Sequence, residues 1–179
     1  MRTRKNNRLP QYDYSQAGYY FVTVCTHNKR CWFGEIIDGE MCLNDFGKIV
    51  LRQWEWLQNQ YPYVELDEFV IMPNHFHGVL VIVGNGRDRS LQKIKSLSEL
   101  MGAFKTTSSK LIHGLGLLDF RWQKSFYDHV IRSERTLENI RAYIQNNPLR
   151  WNRDWENKPP SFQDKAGLKK YYDDILNGT

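Results

Sequence analysis

Residues 64–83, VELDEFVIMPNHFHGVLVIV, constrain the fold more than any other part of the chain. The run is rich in β-branched and aromatic residues and predicts extended chain buried in a sheet. Alternate residues of a strand share a face, so His75 and His77 point the same way, roughly 6.5–7 Å apart along the chain. Phe76, between them, then faces a core. Two imidazoles at that spacing can converge on one metal ion. Two ordinary strand histidines give the same pattern, and the spacing alone leaves both readings open.

Elements of both kinds flank this run. Tyr19–Thr26 is aromatic and β-branched and predicts a strand. FGEIIDGEMCL predicts a hairpin turning at Asp38-Gly39, a dipeptide that suits the tight turns of hairpins. Asn44 can cap a helix through about Gln60, with Phe46, Ile49, Val50, Trp54 and Leu57 at helical spacing and Pro62 closing it. Gly84–Arg89 is a polar, basic turn or loop. Ser96 or Ser98 can cap a second helix with Leu97, Leu100, Met101, Phe104, Leu111 and Ile112 on one face and Lys105, Thr106, Ser109 and Lys110 on the other. Trp122–Arg132 predicts a strand, and Ser133 caps a helix to about Asn146. Strands and helices without strict βαβ alternation predict an α+β fold, an antiparallel sheet with helices packed mainly on one face.

The 179 residues suit one domain, and 41% hydrophobic and 14% aromatic content suffices for a core. No stretch approaches the length of a membrane span, and the basic N-terminus lacks an apolar signal core, so a cytoplasmic protein with no membrane partner is expected. Three cysteines without CxxC spacing, Cys25, Cys31 and Cys42, predict buried reduced thiols rather than a disulfide framework or a zinc ribbon. The net charge of +5 is unevenly spread: residues 1–30 and 71–132 are net basic and 31–70 net acidic. A lone lysine or arginine is by default a solvated surface charge. The grouping is what points to a nucleic-acid face, from Arg2, Arg4, Lys5 and Arg8, from Arg87 and Arg89, from Lys105 and Lys110, and from Arg121, Trp122 and Lys124. Trp54 and Trp56 read as core.

The segment SERTLENIRAYIQNNP, residues 133–148, holds a second constellation. Leu137, Ile140 and Ile144 form an apolar stripe, with Tyr143 and Asn147 neighbours at i and i+4 on its flank. Pro148 ends or bends the helix at Asn147 and leaves that amide available to a ligand. An overhanging tyrosine and a capping asparagine would look the same. His27, His113 and His129 have no paired ligand and are structural by default.

Together, His75-Phe76-His77 on a strand and Tyr143 with Asn147 one helical turn apart resemble the single-tyrosine HUH (His-hydrophobic-His) transposases, most closely the REP-associated tyrosine transposases. Tyr12-Asp13-Tyr14, Tyr20–Thr23, Val70–Gly78, Phe126–Arg132 and Tyr143–Pro148 carry the resemblance, in order, over roughly residues 9–151. It implies the HUH nuclease fold, a ferredoxin-like sheet with the histidines on a central strand. It also implies cleavage and rejoining of single-stranded DNA near hairpins of repeated palindromes through a 5′-phosphotyrosine. By position, His75 and His77 would be ligands of Mg²⁺ or Mn²⁺, Asn147 the third ligand where related insertion-sequence transposases usually have glutamine, and Tyr143 the nucleophile. Arg4, Lys5, Arg8, Arg87, Arg89, Lys105, Lys110, Arg121, Trp122 and Lys124 would bind single-stranded DNA and hairpins. The working unit would be a monomer or homodimer. Residues 1–10 would form a basic arm, 11–151 the transposase domain and 152–179 a tail that could extend the DNA contacts. Two other readings stay open: a nucleic-acid-binding protein without catalysis, and a metal-dependent phosphodiesterase that uses water.

Overall fold

The computed structural model describes residues 12–84, 94–158 and 164–179. Its main sheet has four strands: β1 (Gly18–Cys25), β4 (Val64–Met72), β5 (His75–Ile82) and β6 (Tyr127–Ile131). They lie in the order β4-β5-β1-β6, with every neighbour antiparallel. A separate hairpin, β2 (Gly34–Ile37) and β3 (Glu40–Leu43), follows β1. It turns at Asp38-Gly39, both with positive φ (51° and 82°), as sequence predicts. The helices are α1 (Asp45–Gln60), α2 (Leu97–Gly114), α3 (Glu134–Asn146) and α4 (Lys165–Asn177). Leaving the hairpin, α3 and α4 aside, the order is βαββαβ, the ferredoxin-like arrangement expected for this α+β chain.

The predicted caps are in place. Asn44 Oδ1 accepts from the amides of Phe46 and Gly47, Ser96 and Glu99 form a capping box, and Ser133 Oγ accepts from Thr136 N.

The longest predicted strand divides in two. Residues 64–83 are not a single extended segment but two strands that fold back at Pro73-Asn74, so Met72 pairs with His75. Neither turn residue takes the positive φ of the usual two-residue hairpin, which is why no Asn-Gly or Asp-Gly signal marks it. The turn is held from outside instead. Pro73 O accepts from the amides of Trp32 and Phe33, and Asn74 O from the amide and hydroxyl of Thr26.

The sheet separates two cores. On one face Tyr20, Val22 and Val24 of β1 and Phe76 and Leu80 of β5 meet Trp54 and Leu57 of α1 and Leu100, Met101 and Phe104 of α2. Each such buried side chain contributes roughly 1.5–3 kcal/mol. On the other face Phe21, Val79 and Ile131 pack against Leu137, Ile140 and Ile144 of α3 and Tyr172 of α4. The larger helical layer thus covers one face as expected, and the second carries the smaller α3–α4 pair. His75 and His77 belong to that second face, and Phe76 to the first. The thiols differ from expectation: Cys25 is buried, whereas Cys31 and Cys42 are exposed, since the segment before β2 and strand β3 turn those side chains to solvent.

At Gly78 the larger core packs directly on the backbone. A Cβ there would lie 2.6 and 2.8 Å from two ring atoms of Phe76 and 2.9 Å from Trp54. Both rings are fully buried and cannot step aside. Gly78→Ala is expected to destabilise the protein by about 1–3 kcal/mol, seen as a lower urea midpoint at unchanged slope.

Candidate active site

His75 and His77 open β5, and their rings lie 4.4 Å apart between centroids. Both are completely buried. The tautomer of His75 is fixed by its neighbour. Asn74 Nδ2 donates to the carbonyls of Lys29 (3.3 Å) and Glu156 (3.1 Å), so Asn74 Oδ1 is turned toward His75 Nδ1, 2.7 Å away. That oxygen can only accept; His75 therefore carries its proton on Nδ1 and presents a lone pair at Nε2. His77 Nδ1 lies 2.8 Å from Thr23 Oγ1, and its Nε2 lies 2.9 Å from the Tyr143 hydroxyl.

Three further groups reach this point. α3 is clamped to the sheet by a bulge in β4 between Leu66 and Phe69, which turns two acidic residues toward it. Arg141 donates from two nitrogens to the Asp67 carboxylate (2.8 and 2.5 Å), and Gln145 donates to Glu68 (3.1 Å). This holds Tyr143 over His77. Asn147, at the end of α3, donates from Nδ2 to Asp154 Oδ2 at 2.9 Å. Asp154 itself lies between two short 3₁₀ turns, Pro148–Arg153 and Trp155–Asn157, that lead the chain back across the histidines. Tyr171 of α4 completes the set, with its hydroxyl 2.9 Å from that of Tyr143 and 3.2 Å from Asp154 Oδ1.

The donor–acceptor balance of this cluster is uneven. His75 Nε2 and Asn147 Oδ1 are buried without a hydrogen-bond partner. His75 Nε2 also lies 3.5 Å from Asp154 Oδ2, a lone pair facing a carboxylate. Burial, with the nearby Lys29 ammonium, holds His75 well below its usual range, so protonation does not supply the missing donor. The ligand atoms of His75, His77 and Asp154 lie within 4.8 Å of one another. Two unpartnered acceptors, His75 Nε2 and Asn147 Oδ1, beside the Asp154 carboxylate and a second imidazole are a donor set that a divalent cation can use, and the residues fit one.

The chain matches no protein-family model. It is 37% identical over 164 residues to an uncharacterised protein of Haemophilus influenzae, across 84% of this chain and 91% of that one, and the two belong to one family. Among solved structures, a REP-associated tyrosine transposase bound to a REP hairpin superposes with a TM-score of 0.56 at 20% identity, over 80% of this chain and 73% of that one. The fold is that of the REP-associated tyrosine transposases.

Within this transposase fold His75, His77, Tyr143 and Asn147, far apart in sequence, form one cluster. Asp154 joins them as a candidate ligand, and sequence reasoning missed it: a single aspartate in an aperiodic segment carries no spacing signal. Tyr171 and Tyr172, assigned to an unmatched tail, also lie here. Tyr127 of β6 stacks on Tyr172 at 3.8 Å between centroids instead of approaching the histidines. Burial pushes the Tyr143 phenol well above its usual range, with Asp154 and Tyr171 adding to the effect.

The candidate DNA-binding residues divide into two groups. Arg4, Lys5, Arg8, Arg87 and Arg89 lie outside the described residues. Lys105, Lys110, Arg121, Trp122 and Lys124 line one groove of about 630 Å³ between α2 and the segment before β6. Trp122 serves as its floor: it is 8% exposed, packs on Phe33, Phe104 and Phe120, and donates from Nε1 to Ser108 Oγ. It offers no open face on which a base could stack. Lys105 donates to the carbonyls of Gln123 and Lys124 and ties the two walls together. Among the described residues no helix is long and apolar enough to cross a membrane.

Burial also holds His77 well below the usual histidine range. Unfolding exposes both imidazoles to an ordinary pKa near 6.5, so the unfolded chain takes up protons that the folded one refuses. The contribution is complete above that value and shrinks as pH falls through it, by on the order of 1 kcal/mol per histidine at pH 5.5. The metal-free protein is therefore expected to have a lower urea midpoint at pH 5.5 than at pH 7.5, with a smaller difference in His75→Gln.

Proposed function

We propose that this chain is a divalent-metal-dependent, single-strand-specific DNA transesterase that cuts and rejoins DNA beside hairpins through Tyr143. The carrying observation is the Tyr143 hydroxyl, 2.9 Å from His77 Nε2, inside a buried cluster whose His75 Nε2 and Asn147 Oδ1 have no hydrogen-bond partner. His75, His77 and Asp154 would hold the ion, with Asn147 Oδ1 beside them. This nitrogen and oxygen set accepts Mg²⁺ or Mn²⁺, and Mn²⁺ suits imidazole better. When bound, the ion supplies Lewis-acid neutralisation of a phosphodiester oxygen.

The remaining steps belong to the chain's own side chains. His77 Nε2 has one lone pair, now shared with the Tyr143 hydroxyl; a His77 that held an ion would no longer accept from that hydroxyl. Tyr143 Oη then bonds to phosphorus, the P–O3′ bond breaks, and the phenolic proton ends on the departing 3′ oxygen. The 5′-phosphotyrosine keeps the bond energy, so a DNA 3′-hydroxyl reverses the step without ATP. Lys105, Lys110, Arg121 and Lys124 would hold the DNA backbone in their groove, with Arg4, Lys5, Arg8, Arg87 and Arg89 adding to it. The fold neighbour's REP hairpin supports a hairpin as ligand. Tyr143 meets His77 of its own chain, which supports a monomer as the working unit. Trp151 stacks beside His75, and buried Glu156 is held by Asn74 and by the Tyr172 hydroxyl, so this cover must shift for a phosphodiester to enter.

Incubation with labelled hairpin-bearing single-stranded DNA and Mn²⁺ or Mg²⁺ is expected to give a denaturant-resistant protein–DNA adduct. Tyr143→Phe should lower its yield at least about 100-fold, and a chelator should abolish it. His75→Ala should abolish cleavage and leave hairpin affinity within about twofold. Cleavage that survives Tyr143→Phe would overturn the nucleophile in favour of water. Binding without cleavage under either metal would leave only a nucleic-acid-binding protein.

A further inference from the structure

One buried cation beside the site has no part in the chemistry above. Lys29 ends the short helical turn His27–Lys29 after β1, where Asn28 and Lys29 both take a φ of 55°. Two consecutive non-glycine residues in the left-handed region are strained, and such strain persists where the surrounding structure enforces it. The Lys29 side chain is only 9% exposed and pairs with Glu156. Glu156 is also held by the Tyr172 hydroxyl (2.7 Å) and the Cys25 thiol (3.3 Å). The Lys29 carbonyl accepts from Asn74 Nδ2, the same amide that fixes the His75 tautomer. Its positive charge is felt at His75, His77 and Asp154.

A buried lysine–glutamate pair rarely stabilises a protein more than apolar residues of similar size would. Retaining one here, on strained backbone, points to use of the ammonium. A compact ammonium is a point charge suited to a phosphate oxygen. Beside the pair is a cavity of about 130 Å³, lined also by Thr23, Gln123 and Ser125. Gln123 lines the basic groove as well, so the groove and this cavity adjoin. The two charges sit on different parts of the fold. Asn74 holds the backbone carbonyls of both Lys29 and Glu156, so a rotation of the Glu156 side chain alone parts the two charges without opening the sheet.

We infer that Lys29 binds a non-bridging oxygen of the phosphodiester presented to Tyr143, and that Glu156 occupies this place in the DNA-free chain. The inference rests on the transesterase reading and adds to it a residue that contacts substrate.

The test uses the full chain with Mn²⁺, in a Tyr143→Phe background that blocks turnover. The probe is a labelled single-stranded oligonucleotide carrying a hairpin from inverted repeats beside the gene. Glu156→Gln, Lys29→Met/Glu156→Gln and Lys29→Arg/Glu156→Gln are compared, so that no variant leaves a buried carboxylate unpaired; Lys29→Gln replaces the methionine variant if that one fails to fold. Relative to Glu156→Gln, loss of the lysine should weaken binding about tenfold. It should also make the slope of log affinity against log salt shallower by about 0.7, the value for one single-strand phosphate contact. Arginine should restore both. Equal affinity and slope with and without the lysine would overturn the inference. An adduct in the wild type with that equality keeps the transesterase and discards Lys29. A changed slope with no wild-type adduct keeps Lys29 as a phosphate site and discards the transesterase. Absence of DNA binding discards both.

Discussion

The carboxamide of Asn74 is the contact on which the site depends. Its nitrogen donates to the carbonyls of Lys29 and Glu156, and its oxygen receives the Nδ1 proton of His75. One side chain thereby joins the turn after β1, the start of β5 and the returning C-terminal segment, and sets the ring nitrogen that His75 presents. A ligand histidine needs this kind of partner, because a free imidazole divides its proton between two nitrogens. The Pro73-Asn74 turn lacks the backbone geometry favoured in short hairpins, and it is stabilised by Thr26, Trp32 and Phe33 rather than by its own residues. Site and turn hold each other.

Stability and chemistry divide between the faces of one sheet. Alternation along β5 sends Phe76 and Leu80 into an apolar core and His75 and His77 to the opposite side. Deep burial of polar groups is costly unless each finds a partner. On the second face most do: Tyr143 with His77 and Tyr171, Asn147 with Asp154, Glu156 with Lys29 and Tyr172. The acceptors left over, on His75 and Asn147, lie together, so the deficit is local and has the shape of a cation site.

Much of this was legible in the chain. The caps at Asn44, Ser96 and Ser133, the Asp38-Gly39 hairpin and the apolar stripe of α3 are local signals, because backbone geometry and helical or strand period act over a few residues. The β4–β5 hairpin was hidden because its turn is made by distant residues. Asp154, Tyr171 and Tyr172 were hidden because a 3₁₀ return and a helix packed on α3 carry no spacing relation to His75. Trp122 reads as a stacking residue among basic neighbours, yet the ring packs inward on Phe33, Phe104 and Phe120.

By itself, the sequence determined that His75 and His77 share a face, since strand alternation allows nothing else, and that Tyr143 and Asn147 share the flank of a helix. The tertiary structure decided that these two pairs meet, that Asp154 joins them, and that Lys29 and Glu156 close over the same place. Those outcomes depend on the angle at which the Arg141–Asp67 clamp seats α3 and on the path of the chain after Pro148. Both are set by long-range packing and hydrogen bonding, to which no local period corresponds.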